Sequence, residues 1–247
     1  AILYDRRSFL FQEASMDRIL LSGVSSGCGK TTMVCGILQA LVNRGLRVGA
    51  FKCGPDYIDP MFHSRIIGAK SANLDLHFFS ENTLRYLLAK NAADRDVSII
   101  EGVMGYYDGL GLTSTKASSY EVAQVTDSPV VLVVNAKGAS LSVLAVIQGF
   151  LDFAPKSNIR GVLLNQCSPM AYTALSRAIE DRLGVACYGY LPKMENCSLE
   201  SRHLGLVTAD EVADLKEKMS ALAAQVEKTV DLDGLLALSR TAPALEY

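Results

Sequence analysis

The sequence has no excess of charge of either sign. Its 24 lysines and arginines stand against 26 aspartates and glutamates, a formal net charge of −2 at pH 7, and the basic residues form no cluster. Such a balance argues against nucleic acid or an anionic membrane as the main partner, because both are drawn by concentrated positive charge. Long apolar runs are missing too. The longest, such as Val130 to Val134, are of strand length, far short of the roughly 20 residues of a membrane span, which makes the protein a soluble one. Residues 1–15 carry charges throughout and no apolar h-region of a secretory signal; Met16 stands as a natural start, with 1–15 as an extension. Cys28, Cys35, Cys53, Cys167, Cys187 and Cys197 contain no C-x-x-C pair. That excludes a disulfide framework or a zinc site and points to reduced, packed thiols in the cytoplasm. His63, His77 and His203 lack metal spacing, so each is expected to serve structure or substrate positioning. Repeats and low-complexity linkers are absent.

What is present is material for one large core: 49% of 247 residues are hydrophobic. Short apolar runs at 18–22, 47–52, 97–101, 130–135, 159–165 and 186–190 read as strands, and amphipathic segments at 31–44, 80–92, 141–153 and 171–183 read as helices. Gly45 and Gly184 sit where helix C-caps belong. This alternation predicts an α/β fold with a doubly wound, mainly parallel sheet over 16–210, its ligands at the carboxyl ends of the strands, followed by a helical tail over 211–247.

The first strand runs into Gly23-Val24-Ser25-Ser26-Gly27-Cys28-Gly29-Lys30-Thr31-Thr32. Glycines let backbone wrap an anion, N–H groups at the helix start face phosphate oxygens, Lys30 brings a mobile charge and the Thr31 hydroxyl can ligate Mg²⁺. The loop is a variant, since Val24 stands where the first glycine of G-x-x-x-x-G-K-[ST] belongs. A nucleoside triphosphate, ATP, is the expected ligand; a solvated glycine loop is the alternative.

Other strand ends carry more chemistry. Glu101 closes the third strand, where an acidic residue would hold Mg²⁺ or its water. Asp56, Asp59, Glu101 and Asp108 around such a loop would repel one another without cations, so Mg²⁺, in one or two ions, is inferred. Asp56 and Asp59 lie beside Pro55 and Pro60 and also suit turns. Lys52 ends the second strand within reach of a transferred phosphoryl group or a substrate carboxylate; snorkelling to the sheet edge is its alternative.

The motifs Gly54-Pro55-Asp56-Tyr57-Ile58-Asp59-Pro60 with Phe62-His63, Asn73-Leu74-Asp75, Glu101-Gly102-Val103-Met104-Gly105 with Tyr107-Asp108-Gly109, and Ser201-Arg202-His203-Leu204-Gly205-Leu206 resemble the cobyrinic acid a,c-diamide synthase family. The variant loop is similar to that of dethiobiotin synthetase, a P-loop relative in which ATP phosphorylates a carboxylate. The resemblance, over about 18–210, implies a dethiobiotin synthetase-like P-loop fold and ATP-dependent conversion of the c and then the a acetate of a cobalt corrinoid to amides through acyl phosphates attacked by ammonia. It implies that Lys30, Thr31 and Thr32, with Gly27, Cys28 and Gly29, hold phosphates and Mg²⁺, with Glu101 and Asp56 at the metal. Tyr57, Ile58, His63, Asp59 and Asp108 would line the substrate and phosphoryl-transfer region, and Asn165, Leu191 and Pro192 the adenine pocket. Family members usually continue into a glutamine amidotransferase domain. Neither a Gly-x-Cys-x-Gly turn nor a His-x-Glu partner occurs here, so that domain is expected to be absent from these residues: the chain is either the synthetase half of a longer enzyme, with ammonia from its glutaminase domain, or is fed by free ammonia or a separate glutaminase. Nickel-sirohydrochlorin and hydrogenobyrinic acid are alternative substrates, and a homodimer stays open. A partitioning ATPase is a further alternative, weakened because Ser25 occupies the position of its second lysine.

Overall fold

The computed structural model describes residues 13–56, 58–194 and 209–247. Chain order begins with β1 (Glu13–Ala14), then β2 (Arg18–Gly23), α1 (Lys30–Asn43) and β3 (Val48–Cys53). A short α2 (Ile58–Phe62) continues as a π-helical turn over His63–Ile67 into β4 (Lys70–Leu74) and α3 (Glu81–Ala92). Then follow β5 (Val97–Gly105), α4 (Ser119–Val125), β6 (Val130–Asn135), α5 (Ser142–Asp152), β7 (Ile159–Asn165), α6 (Pro169–Leu183) and β8 (Ala186–Leu191). Helices α7 (Ala209–Thr229) and α8 (Leu232–Ser239) precede β9 (Leu245–Glu246).

Seven parallel strands form one sheet in the order β4-β3-β5-β2-β6-β7-β8. All six anticipated strands are in it. The chain winds outward from β2 to β3 and β4, returns to β5 beside β2, then builds the other half from β6. The crevice where winding reverses therefore opens at the carboxyl ends of β2, β5 and β6, where a doubly wound sheet receives ligands.

Alternation along β2 builds both layers at once. Ile19 and Leu21 join a cluster with α1, α7 and α8, whereas Leu20 joins one with α3, α4, α5 and α6, as the two-residue period of a strand requires. The segment read as a tail contributes to the first layer. Met219, Leu222, Ala223 and Val226 of α7 are buried there beside α1. Gly36 makes that approach close, since a Cβ on it would lie 2.8 Å from Val226 Cγ2 and 2.9 Å from Leu222 Cγ.

Caps follow the local sequence. Ser80, Ser118 and Ser168 accept from the backbone N–H three residues on and start α3, α4 and α6. Gly184, with φ 67°, ends α6. No helix among the described residues is long and apolar enough to cross a membrane.

Candidate functional site

Residues 24–29 pass from β2 to α1 with Gly27 and Gly29 at φ of 76° and 90°, values that a side chain disfavours. Asn165, at the end of β7, donates from Nδ2 to the Cys28 carbonyl at 3.0 Å. A Cβ on Gly29 would fall 1.8 Å from that same nitrogen. Glycine is thus required at 29 by conformation and by contact. The loop leads straight into the positive end of α1, where Lys30, Thr31 and Thr32 occupy the first turn.

Glu101 faces this turn from β5. It is fully buried, and its Oε1 accepts from the Thr31 hydroxyl at 2.8 Å and lies 3.4 Å from Lys30 Nζ and 3.0 Å from Lys52 Nζ. The last contact follows from register, because Lys52 of β3 is paired directly with Glu101 of β5. Lys52 also meets Asp59 at 2.6 Å. His63 Nε2 lies 3.4 Å from the other Glu101 oxygen, Oε2.

These charges set one another. Burial opposes ionisation of Glu101 most strongly, yet Lys52, His63 and Lys30 together hold it well below the ordinary carboxylate range. Lys52 is likewise opposed by burial, and Glu101 and Asp59 outweigh this to raise it above the usual lysine value. Burial pushes the neighbouring Cys53 thiol up to about 12, with Lys52 opposing, so Cys53 stays a neutral thiol.

The four carboxylates expected to share a site divide in two. Asp59 and Glu101 are joined by Lys52, and that lysine with Lys30 compensates their charge from within the protein. Asp56 and Asp108 serve their own loops. Asp56 Oδ1 accepts from the N–H of Ile58 at 2.8 Å and of Asp59 at 3.3 Å, and Asp108 Oδ2 from that of Gly105 at 2.8 Å. The mutual repulsion argument therefore does not carry over to all four.

Among the described residues, no three His, Cys, Asp or Glu side chains are arranged to hold a metal by themselves. What fits Mg²⁺ is narrower: two oxygen donors, the Thr31 hydroxyl and Glu101 Oε1, lie 2.8 Å apart at the first turn of α1. Mg²⁺ takes one or two protein ligands and fills the rest from phosphates and water. Thr31 and Glu101 could supply such a share.

The remaining expected residues sit nearby. Leu191 is buried at the end of β8, where the Cys167 N–H donates to its carbonyl at 3.0 Å; Pro192 follows half-buried. Ile58 opens α2 half-buried, and His63 is enclosed completely behind Glu101. Tyr57, Cys197 and the motif from Ser201 to Leu206 lie outside the described residues. Two positioning residues were given no role by the sequence reading. Asn73 donates from Nδ2 to the Gly54 carbonyl at 2.9 Å and also to that of Asp56, tying β4 to the loop after β3. Ser119 Oγ accepts from Val103 N–H at 2.8 Å and donates to its carbonyl at 3.1 Å, pinning the backbone after Glu101. The Asn73-Leu74-Asp75 triplet and the Ser118-Ser119 pair were their only visible signals.

A family model described as CobQ/CobB/MinD/ParA nucleotide binding domain matches residues 19–207, beginning in β2 and taking in the loop, Glu101 and Asn165. The chain belongs to this family. Its curated relatives include proteins named cobyrinate a,c-diamide synthase. That of Listeria monocytogenes is 43% identical over 232 residues, 93% of this chain and 51% of its own length. That of Salmonella typhimurium is 41% identical over 221 residues, 89% and 48% respectively. The chain thus spans about half the length of these curated relatives. Among solved structures, the MinD cell division protein of Aquifex aeolicus superposes with a TM-score of 0.53 at 15% identity, covering 91% of this chain and 95% of that one. The signal recognition particle receptor FtsY of Elizabethkingia anophelis with GDP superposes with a TM-score of 0.55 at 14% identity, covering 84% and 65%. At such identities the likeness concerns the P-loop α/β fold.

Proposed function

We propose that the chain is an ATP-dependent carbon–nitrogen ligase of the cytoplasm that amidates the a and c acetate side chains of cobyrinic acid. The observation that supports this most is the Lys30–Glu101–Lys52–Asp59 array at the mouth of a nucleotide-binding loop, in a chain 43% identical to a protein named cobyrinate a,c-diamide synthase. An acetate oxygen attacks the γ-phosphorus of ATP and ADP leaves. Ammonia then attacks the acyl carbon of the acyl phosphate, inorganic phosphate leaves, and the ammonia nitrogen sheds its proton.

In this scheme Lys30 leaves Glu101 for the phosphates, and Lys52, anchored by Asp59, stays where charge builds on the transferred group. Asp56 and Asp108 fix the loops that present the acetate, Tyr57 and Ile58 line its approach, and Asn165 with the backbone at Leu191 and Pro192 borders the adenine. Mg²⁺ held by Thr31 and Glu101 would neutralise phosphate charge. Positioning carries most of the rate.

The test supplies the chain with ATP, Mg²⁺, ammonium and a panel of cobyrinic acid, hydrogenobyrinic acid and nickel-sirohydrochlorin, and weighs the products by mass spectrometry. Cobyrinic acid is expected to gain two amides with stoichiometric ADP. Lys30→Ala is expected to lose on the order of 10²–10³ in rate. ATP turnover without amide on any macrocycle, or preference for another member of the panel, overturns this assignment.

A further inference from the structure

Seven buried side-chain atoms of the described residues have no hydrogen-bond partner, and two of them face each other, Nε2 of His63 and Oε2 of Glu101; Nδ1 of the same ring is a third. Both residues are closed off from bulk solvent. An imidazole N–H is a donor and a carboxylate oxygen an acceptor. At 3.4 Å between Nε2 and Oε2, a small rotation of either group closes a hydrogen bond.

The backbone keeps the ring in place. His63 begins the π-helical turn, and its carbonyl accepts from the N–H of both Gly68 and Ala69, the former at φ 82° and the latter at 3.0 Å. Such turns recur at functional positions. Here the first residue of the turn brings its imidazole to the Glu101 oxygen that Lys30 and Thr31 do not contact. Thr31, Lys30 and Lys52 all contact Oε1, whereas His63 is the contact of Oε2.

We propose that His63 is a positioning residue for Glu101: Nε2–H bonds Oε2 and sets the plane of the carboxylate, so that Oε1 faces the nucleotide and its metal. Lys52 is committed to Asp59 at 2.6 Å, and Lys30 departs when phosphate binds, so His63 is the fixed restraint left on the second oxygen. This rests on the reading of Glu101 as a metal-holding residue and assigns His63 no contact with the corrinoid.

Two measurements test it. With three histidines in the sequence, the imidazole nitrogens of ¹⁵N-histidine protein are separable by NMR. His63 is expected to carry its proton on Nε2, with a shift that moves in Glu101→Gln; a proton on Nδ1 alone, or indifference to Glu101→Gln, overturns the proposal. The second reads the Mg²⁺ concentration needed for half-maximal binding of a fluorescent ATP analogue. His63→Leu is expected to raise it about tenfold or more, the usual consequence of losing a group that orients a metal ligand. His63→Gln, which keeps a donor, should restore most of that, and Ile67→Val on the same turn should leave it unchanged. Equal loss in the leucine and glutamine variants, or none in either, overturns the proposal. Since no tetrapyrrole enters either readout, both stand or fall independently of the proposed reaction.

Discussion

Lys52 shows how far one side chain determines the site. It is buried between two carboxylates, and removing one member of such a group leaves uncompensated charge that costs about 3–5 kcal/mol, more than the intact pair returns. Glu101 is depressed below its ordinary 4.5, so its contribution to stability is complete above that value and is lost as pH falls through the folded value. In Lys52→Met the sign reverses. With that cation gone burial weighs more, the Glu101 carboxyl moves up, and the penalty is largest at neutral pH and shrinks in acid. Urea midpoints across roughly pH 5 to 8 should therefore stay nearly level in the wild type and climb toward acid in the variant. A parallel drop at every pH would mean that Lys52 acts through packing alone. That Lys52 and Glu101 stand at strand ends was legible in the sequence; that β3 and β5 are neighbours and set the two side by side was not. Nor were other details. Asp56 and Asp108 look alike in sequence to residues that face a ligand, and only the fold reveals which backbone N–H groups they already accept. His63 gave a histidine without a partner, because its partner lies 38 positions away in the chain, on another element.

At the scale of elements, α7 lies on α1 and so on the helix that begins with Lys30. Two features hold it there, and magnitudes decide between them. Arg44 forks onto Glu227 at 2.7 Å and Asp233 at 2.9 Å, but all three are partly exposed, and such pairs contribute under about 1 kcal/mol. The seam at Gly36 is buried and full. Gly36→Val is expected to cost about 1–3 kcal/mol by overpacking and to weaken nucleotide binding by tilting α1, while Arg44→Ala should leave binding unchanged; urea unfolding and nucleotide titration of both variants check this. Were Arg44→Ala the more damaging, the surface ion pairs would hold the helices together. Elements with a strong period were readable from sequence: the four anticipated helices match α1, α3, α5 and α6 to within two residues at each end. β4 was not, because Lys70-Ser71-Ala72-Asn73-Leu74 offers no apolar run. An edge strand has one neighbour to satisfy, so its residues are free to be polar. The turn over residues 58–67 was hidden for another reason: Pro60 and a five-residue helix lie below the length at which a helical period registers.

Across the whole molecule, the site and its fastening lie at opposite ends of the central strand β2. Arg18 opens β2 and is completely buried; its Nε donates to the Thr126 carbonyl at 2.9 Å and its Nη2 to that of Pro243 at 2.8 Å. Burial pushes the guanidinium down to about 10, with Asp127 opposing. Beside it β1 pairs antiparallel with β9 and brings Leu245 into the core. Removing residues 241–247 strips an acceptor from a buried cation and takes away that leucine, uncovering the apolar surface it packs against, together about 3–5 kcal/mol. The expected loss in Tm is roughly 6–20 °C, at about 2–4 °C per kcal/mol for a chain this size. Nucleotide affinity well below that temperature should persist, since the loop lies at the other end of β2. A melting curve and a nucleotide titration on the shortened chain check both halves. The pairing of Glu13 with Glu246 has a topological consequence as well. From Glu13 to Glu246 the polypeptide traces a ring with one seam, and a seam can be moved. Joined across β1 and β9 by a short linker and reopened at an exposed turn such as that at Gly138, a circular permutant would keep every strand neighbour. The one junction such a permutant must leave closed is the passage from Gly23 to Thr32.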